Sequence, residues 1–116
     1  MITADTLRKL ALSFPGTSEE SHFVKTSFRV HKKIFATYDA KTNQACIKLS
    51  EIDQDVFSAF DRSIIFQVPN KWGKQGATFI DLNKVPLKLL KDALTTSYCE
   101  VAPAKLAVQV SPSAEE

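Results

Sequence analysis

The sequence predicts an α+β domain in which an antiparallel sheet of about five strands, in hairpin groups, packs with three helices in the order α-β-β-β-α-β-β-α. Three observations predict it. Apolar residues recur at helical spacing in three separate segments. The segments between them alternate apolar and polar residues at period two. Those alternating segments come in groups joined by short polar turns. Strands grouped in this way, with single helices between the groups, argue for an antiparallel sheet with helices on one face and against a doubly wound parallel sheet.

Thr3 is placed to cap the first helix, with Asp5 in its first turn, where an acid suits the helix dipole. Leu7, Leu10, Ala11 and Phe14 form one apolar stripe, and Pro15-Gly16 stops the helix, which is expected over residues 3–13. Residues 17–25 are polar and read as irregular. Ser27-Phe28-Arg29-Val30 and residues 34–39 read as a hairpin about the polar break His31-Lys32-Lys33, and residues 44–49 extend it to a three-stranded meander. Ser50 caps a second helix over about residues 51–61. Its apolar stripe is Ile52, Val56, Phe57 and Phe60, with Glu51, Asp53, Gln54 and Asp55 expected in water. Residues 64–68 and 77–82 read as two paired strands around the loop 71–76. Pro86 suits the first turn of a third helix over about 86–100, with Leu87, Leu90, Leu94 and Tyr98 on its buried face. Residues 105–110 suggest a short further turn or strand.

Length and composition bound the rest. With 116 residues and 44% hydrophobic content, the chain suits one domain, expected over residues 1–110, with 111–116 a disordered tail. No apolar run reaches the length of a membrane-spanning helix, and residues 1–12 lack a signal-peptide pattern, so the expected location is the cytoplasm, away from membranes. Cys46 and Cys99 are expected to be free thiols. Neither cysteine, nor His22 or His31, has a neighbour at metal-ligand spacing, and no glycine-rich phosphate motif is present, so no metal or cofactor is expected.

The net charge is only +2, but the charges are segregated. Residues 21–50 hold six bases against Asp39 alone, and residues 62–91 hold six bases against Asp81 alone; residues 51–61 hold four acids and no base.

Several segments resemble the MmcQ/YjbR family. They are Phe14-Pro15-Gly16-Thr17 followed by Glu19 and Glu20, Ser27-Phe28-Arg29-Val30 with Lys33-Ile34-Phe35-Ala36, and Ile47-Lys48-Leu49 before an acidic helix start. Pro69-Asn70-Lys71-Trp72-Gly73 with Gly76, Thr78, Asp81 and Leu82, and Ser97-Tyr98 with Val101, complete the set. The resemblance runs from about Leu7 to Leu106. It implies an α+β fold often described as a double wing and similar to some DNA-binding proteins. It implies no established activity. Where a Lys-x-His-Trp run is common in the family, this chain has Lys71-Trp72.

Two clusters stand out as candidate sites for DNA or another anionic partner. Arg29, Lys32 and Lys33 lie on or beside the first hairpin turn, where cations could follow a phosphate backbone. Trp72, the sole tryptophan, lies between Lys71 and Lys74 in a glycine-bounded loop, an arrangement that suits base stacking flanked by cations. The same residues also suit a solvated turn and a loop anchored by an aromatic ring. No nucleophile–base pair can be written from the sequence, so the chain reads as a binding module and not an enzyme. Its alternative role is a protein–protein or small-ligand adaptor.

Overall fold

A computed structural model describes residues 1–22 and 24–110 of the chain. The tail expected at 111–116 lies outside the described residues. Helix α1 spans Ala4–Leu12, and the Thr3 hydroxyl caps it by accepting from the Thr6 N–H at 3.2 Å. Leu7 and Ala11 are fully buried, while Leu10 and Phe14 are half-buried. Gly16 turns the chain out of the helix at φ +74°, a conformation that favours glycine.

Six strands follow, where about five were expected: β1 (Thr17–His22), β2 (Lys25–Val30), β3 (Lys33–Asp39), β4 (Gln44–Lys48), β5 (Ile65–Gln67) and β6 (Ala77–Asp81). They form one sheet in the order β1-β2-β3-β4-β6-β5, and every neighbouring pair is antiparallel. The expected meander is β2-β3-β4, and the expected second hairpin is β5-β6. Pairing of β4 with β6 joins them.

The extra strand is β1, read from the sequence as irregular. Its residues, Thr-Ser-Glu-Glu-Ser-His, carry no apolar alternation, but β2 supplies the complete ladder from Thr17↔Val30 to His22↔Lys25. Tertiary pairing overrides propensity here. As an edge strand β1 gains from its charges, which discourage edge-to-edge pairing with other chains.

A bulge re-aims β3. Phe28 pairs Ala36 but Arg29 pairs Ile34, leaving Phe35 as the extra residue. Phe35 and Ala36 are therefore both buried. Phe35 meets Phe14 and Tyr98 edge-on at 6.0 and 5.6 Å, while Phe14 and Tyr98 stack at 4.8 Å.

Four further helices complete the described residues: α2 (Glu51–Ser58), α3 (Lys71–Lys74), α4 (Leu87–Val101) and α5 (Ala104–Val110). Two of these lie where the sequence suggested a loop and a turn or strand. The expected third helix is α4, entered through Pro86 in an extended conformation at the N-cap position. Its buried face is Leu90, Ala93, Leu94, Ser97 and Tyr98; Leu87, expected inside, is exposed. The Ser97 hydroxyl donates to the Phe35 carbonyl at 2.7 Å and accepts from the Lys48 N–H at 3.0 Å. It thus bridges β3 and β4 at the end where their own ladder stops at Ala36↔Ile47. The Tyr98 hydroxyl donates to the Pro15 carbonyl at 2.5 Å, tying α4 to the end of α1.

Helix α2 departs most from expectation. Its N-cap, Ser50, accepts from the Asp53 N–H at 3.1 Å as the sequence suggests. Its orientation is reversed. Gln54 and Ser58 are buried, whereas Ile52, Val56 and Phe60 are 77%, 62% and 57% exposed. Of the expected apolar stripe only Phe57 packs against the core.

Candidate nucleic-acid interface

The β2–β3 connection is a two-residue turn with His31 at φ +49° and Lys32 at φ +67°. Such left-handed turns match the twist of a hairpin and usually contain glycine or asparagine. Here each non-glycine residue holds a left-handed conformation at a cost of about 1–2 kcal/mol. The result is a tight tip that exposes His31, Lys32 and Lys33 together.

Arg29 lies differently. It is half-buried, its Nε donates to the Ser27 hydroxyl at 3.0 Å, and it sits 3.7 Å from the Glu20 carboxylate. Arg29 therefore braces β2 against β1.

The second cluster is built on α3. The Asn70 carboxamide oxygen caps the turn by accepting from the Trp72 N–H at 2.8 Å. Trp72 is 57% exposed, and the Lys71 ammonium lies 5.2 Å from its ring centroid, within cation–π range. Lys74 is exposed. Gly73 has no room for a side chain: a Cβ there would lie 1.8 Å from the Val68 carbonyl oxygen. Beneath it, the buried Gln54 amide nitrogen donates to the carbonyls of Gly73 and Ala77 and to the Thr78 hydroxyl, at 2.9, 3.1 and 3.0 Å. The Thr78 hydroxyl in turn donates to the Gly76 carbonyl at 3.0 Å.

Strand register brings the two clusters to one end of the sheet. The start of β3 lies beside the end of β4, the end of β4 beside the start of β6, and the end of β5 beside the same start. The hairpin tip and the α3 loop therefore share an edge, with β3 and β6 two strand spacings, roughly 10 Å, apart. Lys48 lies between them and donates its ammonium to the Gln75 carbonyl. Asp39 and Asp81 fall at the opposite end.

The sheet face away from the helices adds a feature the site reading did not include. Thr37, Cys46, Phe79 and Phe66 stand in one cross-strand row, all half-buried. Phe66 and Phe79 pair at 5.6 Å between ring centroids. Burial of every second residue in β4 and β6 marks this face, and the period-two alternation around Phe79 is the signal that could have found it. Burial also pushes the Cys46 thiol above its ordinary pKa. Among the described residues no three His, Cys, Asp or Glu side chains gather to hold a metal ion. Among the same described residues no helix is long and apolar enough to cross a membrane.

The YjbR family model matches residues 12–100. The chain belongs to the YjbR family. Its fold is similar to that of Deinococcus radiodurans protein DR2400, whose crystal structure contains a DUF419 domain. The TM-score is 0.75 at 21% identity, covering 86% of this chain and 78% of that one. No curated protein matches the sequence. The residues that carry the family resemblance are largely scaffold. Pro15 and Tyr98 join α1 to α4, Thr17 donates to the Phe14 carbonyl at 2.8 Å, Ser97 bridges β3 and β4, and Gly73 and Thr78 receive Gln54.

Proposed function

We propose that this YjbR-family chain is a cytoplasmic binding module, not an enzyme, that holds nucleic acid along one end and the open face of its sheet. The observation that carries this reading is the convergence of the His31-Lys32 tip and the Lys71-Trp72 loop on one sheet end. Lys32, Lys33, Lys71 and Lys74 supply the cations. Trp72, together with the Phe66–Phe79 pair on the open face of the sheet, supplies sequence-tolerant stacking surface, which favours a single strand over a duplex. Arg29 contributes by bracing the hairpin, since Ser27 and Glu20 already occupy it.

The test is fluorescence anisotropy of labelled single- and double-stranded DNA at two salt concentrations, following Trp72 emission in the same titration. Four phosphate contacts to a single strand predict that affinity falls roughly 50-fold between about 50 and 200 mM salt. Charge reversal by Lys32→Glu with Lys33→Glu weakens binding further. Absence of binding at low salt, or binding indifferent to that reversal, overturns the reading. An adaptor for a protein partner is favoured by a different observation, the outward apolar face of α2.

A further inference from the structure

Between α2 and the edge strand β5 lies an open cleft of about 450 Å³, lined by Glu51, Asp55, Ser58, Arg62, Phe66 and Gln67 among others. Its volume falls within the range of small-molecule sites. Glu51, Asp55 and Ser58 stand at i, i+4 and i+7 on one side of α2, and Arg62 follows the helix end. Two carboxylates against one guanidinium make the cleft net acidic, and Phe66 gives it an aromatic wall.

Ser58 is the residue that points to a ligand. It is only 3% exposed, and among the described residues its hydroxyl has no hydrogen-bond partner. Buried hydroxyls are normally paired, and an unpaired one costs stability. The nearby Gln54 does not answer it, because its amide nitrogen serves Gly73, Ala77 and Thr78. The charges around Ser58 specify what could. Among the described residues Glu51 has no ion-pair partner within 4.0 Å, and Asp55 meets Arg62 at 3.5 Å with both side chains largely exposed. So exposed a pair is weak. Asp55 is therefore open to exchange, and Arg62 shows the kind of group that its carboxylate accepts.

We propose that this cleft binds a small planar cation, an amidinium or guanidinium carried on an apolar body. Such a group holds several N–H donors in one plane. It can serve the Asp55 carboxylate and the Ser58 oxygen together, since residues three apart are neighbours on a helix side. It displaces Arg62 from Asp55, and its apolar body lies against Phe66. An anion would meet Glu51 and Asp55 and be rejected. The cleft shares Phe66 with the proposed nucleic-acid surface but none of its lysines. Lys32→Glu with Lys33→Glu should therefore leave cation binding unchanged.

An NMR titration of the full chain with benzamidine tests this, with benzoate and benzyl alcohol as its anionic and neutral counterparts. Benzamidine should give saturable shifts of the Ser58, Phe66 and Gln67 amide signals, benzyl alcohol weaker ones and benzoate none. Ser58→Ala should leave the free chain at least as stable, because it removes an unpaired buried hydroxyl. The same change should weaken benzamidine binding roughly tenfold, as loss of one hydrogen bond to a charged group does. Asp55→Asn should sharply reduce the preference for benzamidine over benzyl alcohol. If water alone meets the Ser58 hydroxyl, Ser58→Ala will bind benzamidine like the wild type, which overturns the proposal. Absence of saturable shifts at α2 and β5, or benzoate bound as tightly as benzamidine, overturns it equally.

Discussion

The side-chain amide of Gln54 donates to the Gly73 carbonyl at 2.9 Å, so a buried residue of α2 fixes the loop that presents Trp72. The same nitrogen serves Ala77 and Thr78, its two N–H groups shared among three acceptors. Helix, loop and strand are joined at one atom.

Gln54→Ala should therefore cost about 1–3 kcal/mol, the range for leaving buried acceptors unmet. For a domain of this size each kilocalorie lowers Tm by roughly 4 °C. Urea denaturation gives the free energy, and acrylamide quenching of Trp72 reports the loosened loop. An unchanged urea midpoint would show that water or a shifted loop satisfies the three acceptors equally well.

Gly73→Ala should be among the most damaging single-methyl changes in the chain. Its Cβ would meet backbone at Val68 and the Gln67 side chain at 2.7 Å, so α3 must move. Overpacking of this kind costs typically 1–3 kcal/mol. Gly16→Ala makes the comparison: it suffers a left-handed φ but meets only the flexible end of Leu106, at 3.1 Å. Thermal melts of the two variants should rank Gly73→Ala as the less stable, and the opposite order would show that α3 yields easily.

Lys32→Gly separates stability from binding. Glycine relieves the left-handed conformation at φ +67°, so the variant should gain about 1 kcal/mol against urea. It also removes a cation from the hairpin tip, so nucleic-acid affinity should fall. A variant both more stable and equally tight would remove Lys32 from the interface.

Stability should decline on the alkaline side. Burial pushes the Cys46 and Cys99 thiols and the Tyr98 hydroxyl above their ordinary pKa values. The folded chain therefore keeps protons that the unfolded chain releases from about pH 8.5 for cysteine and about pH 10 for tyrosine. The stabilisation is complete below those values and is lost as pH rises through the raised ones. Urea midpoints measured upward from neutral pH should fall, and Cys46→Ala should make the early part of the fall shallower. A wild-type profile flat to pH 10 would contradict the burial of these groups.

Much of the fold was legible because local signals and tertiary need agree in most segments. Thr3, Ser50 and Pro15-Gly16 mark helix ends through their own hydrogen bonds and dihedrals, and the alternation of β4 and β6 follows from burial on one face. Strand β1 was not legible, because its pairing comes wholly from β2. Helix α2 was misleading for a specific reason. The surface beneath it offers the carbonyls of Gly73 and Ala77 and the Thr78 hydroxyl, which an apolar side chain would leave unmet. Gln54 turns inward to meet them, and Ile52, Val56 and Phe60 are carried outward.

The candidate site shows the same division. The basic residues and Trp72 were readable as types and positions, and the sequence by itself determined the fold class and the two basic segments, while the left-handed His31-Lys32 turn and the short helix α3 were not legible in it. Only the tertiary structure decided that β4 pairs β6, bringing both segments to one end of the sheet. It also decided that Glu20 and Ser27 engage Arg29, and that α2 shows its apolar side to water. These outcomes depend on contacts between residues far apart in the chain, where burial and hydrogen-bond satisfaction outweigh local periodicity.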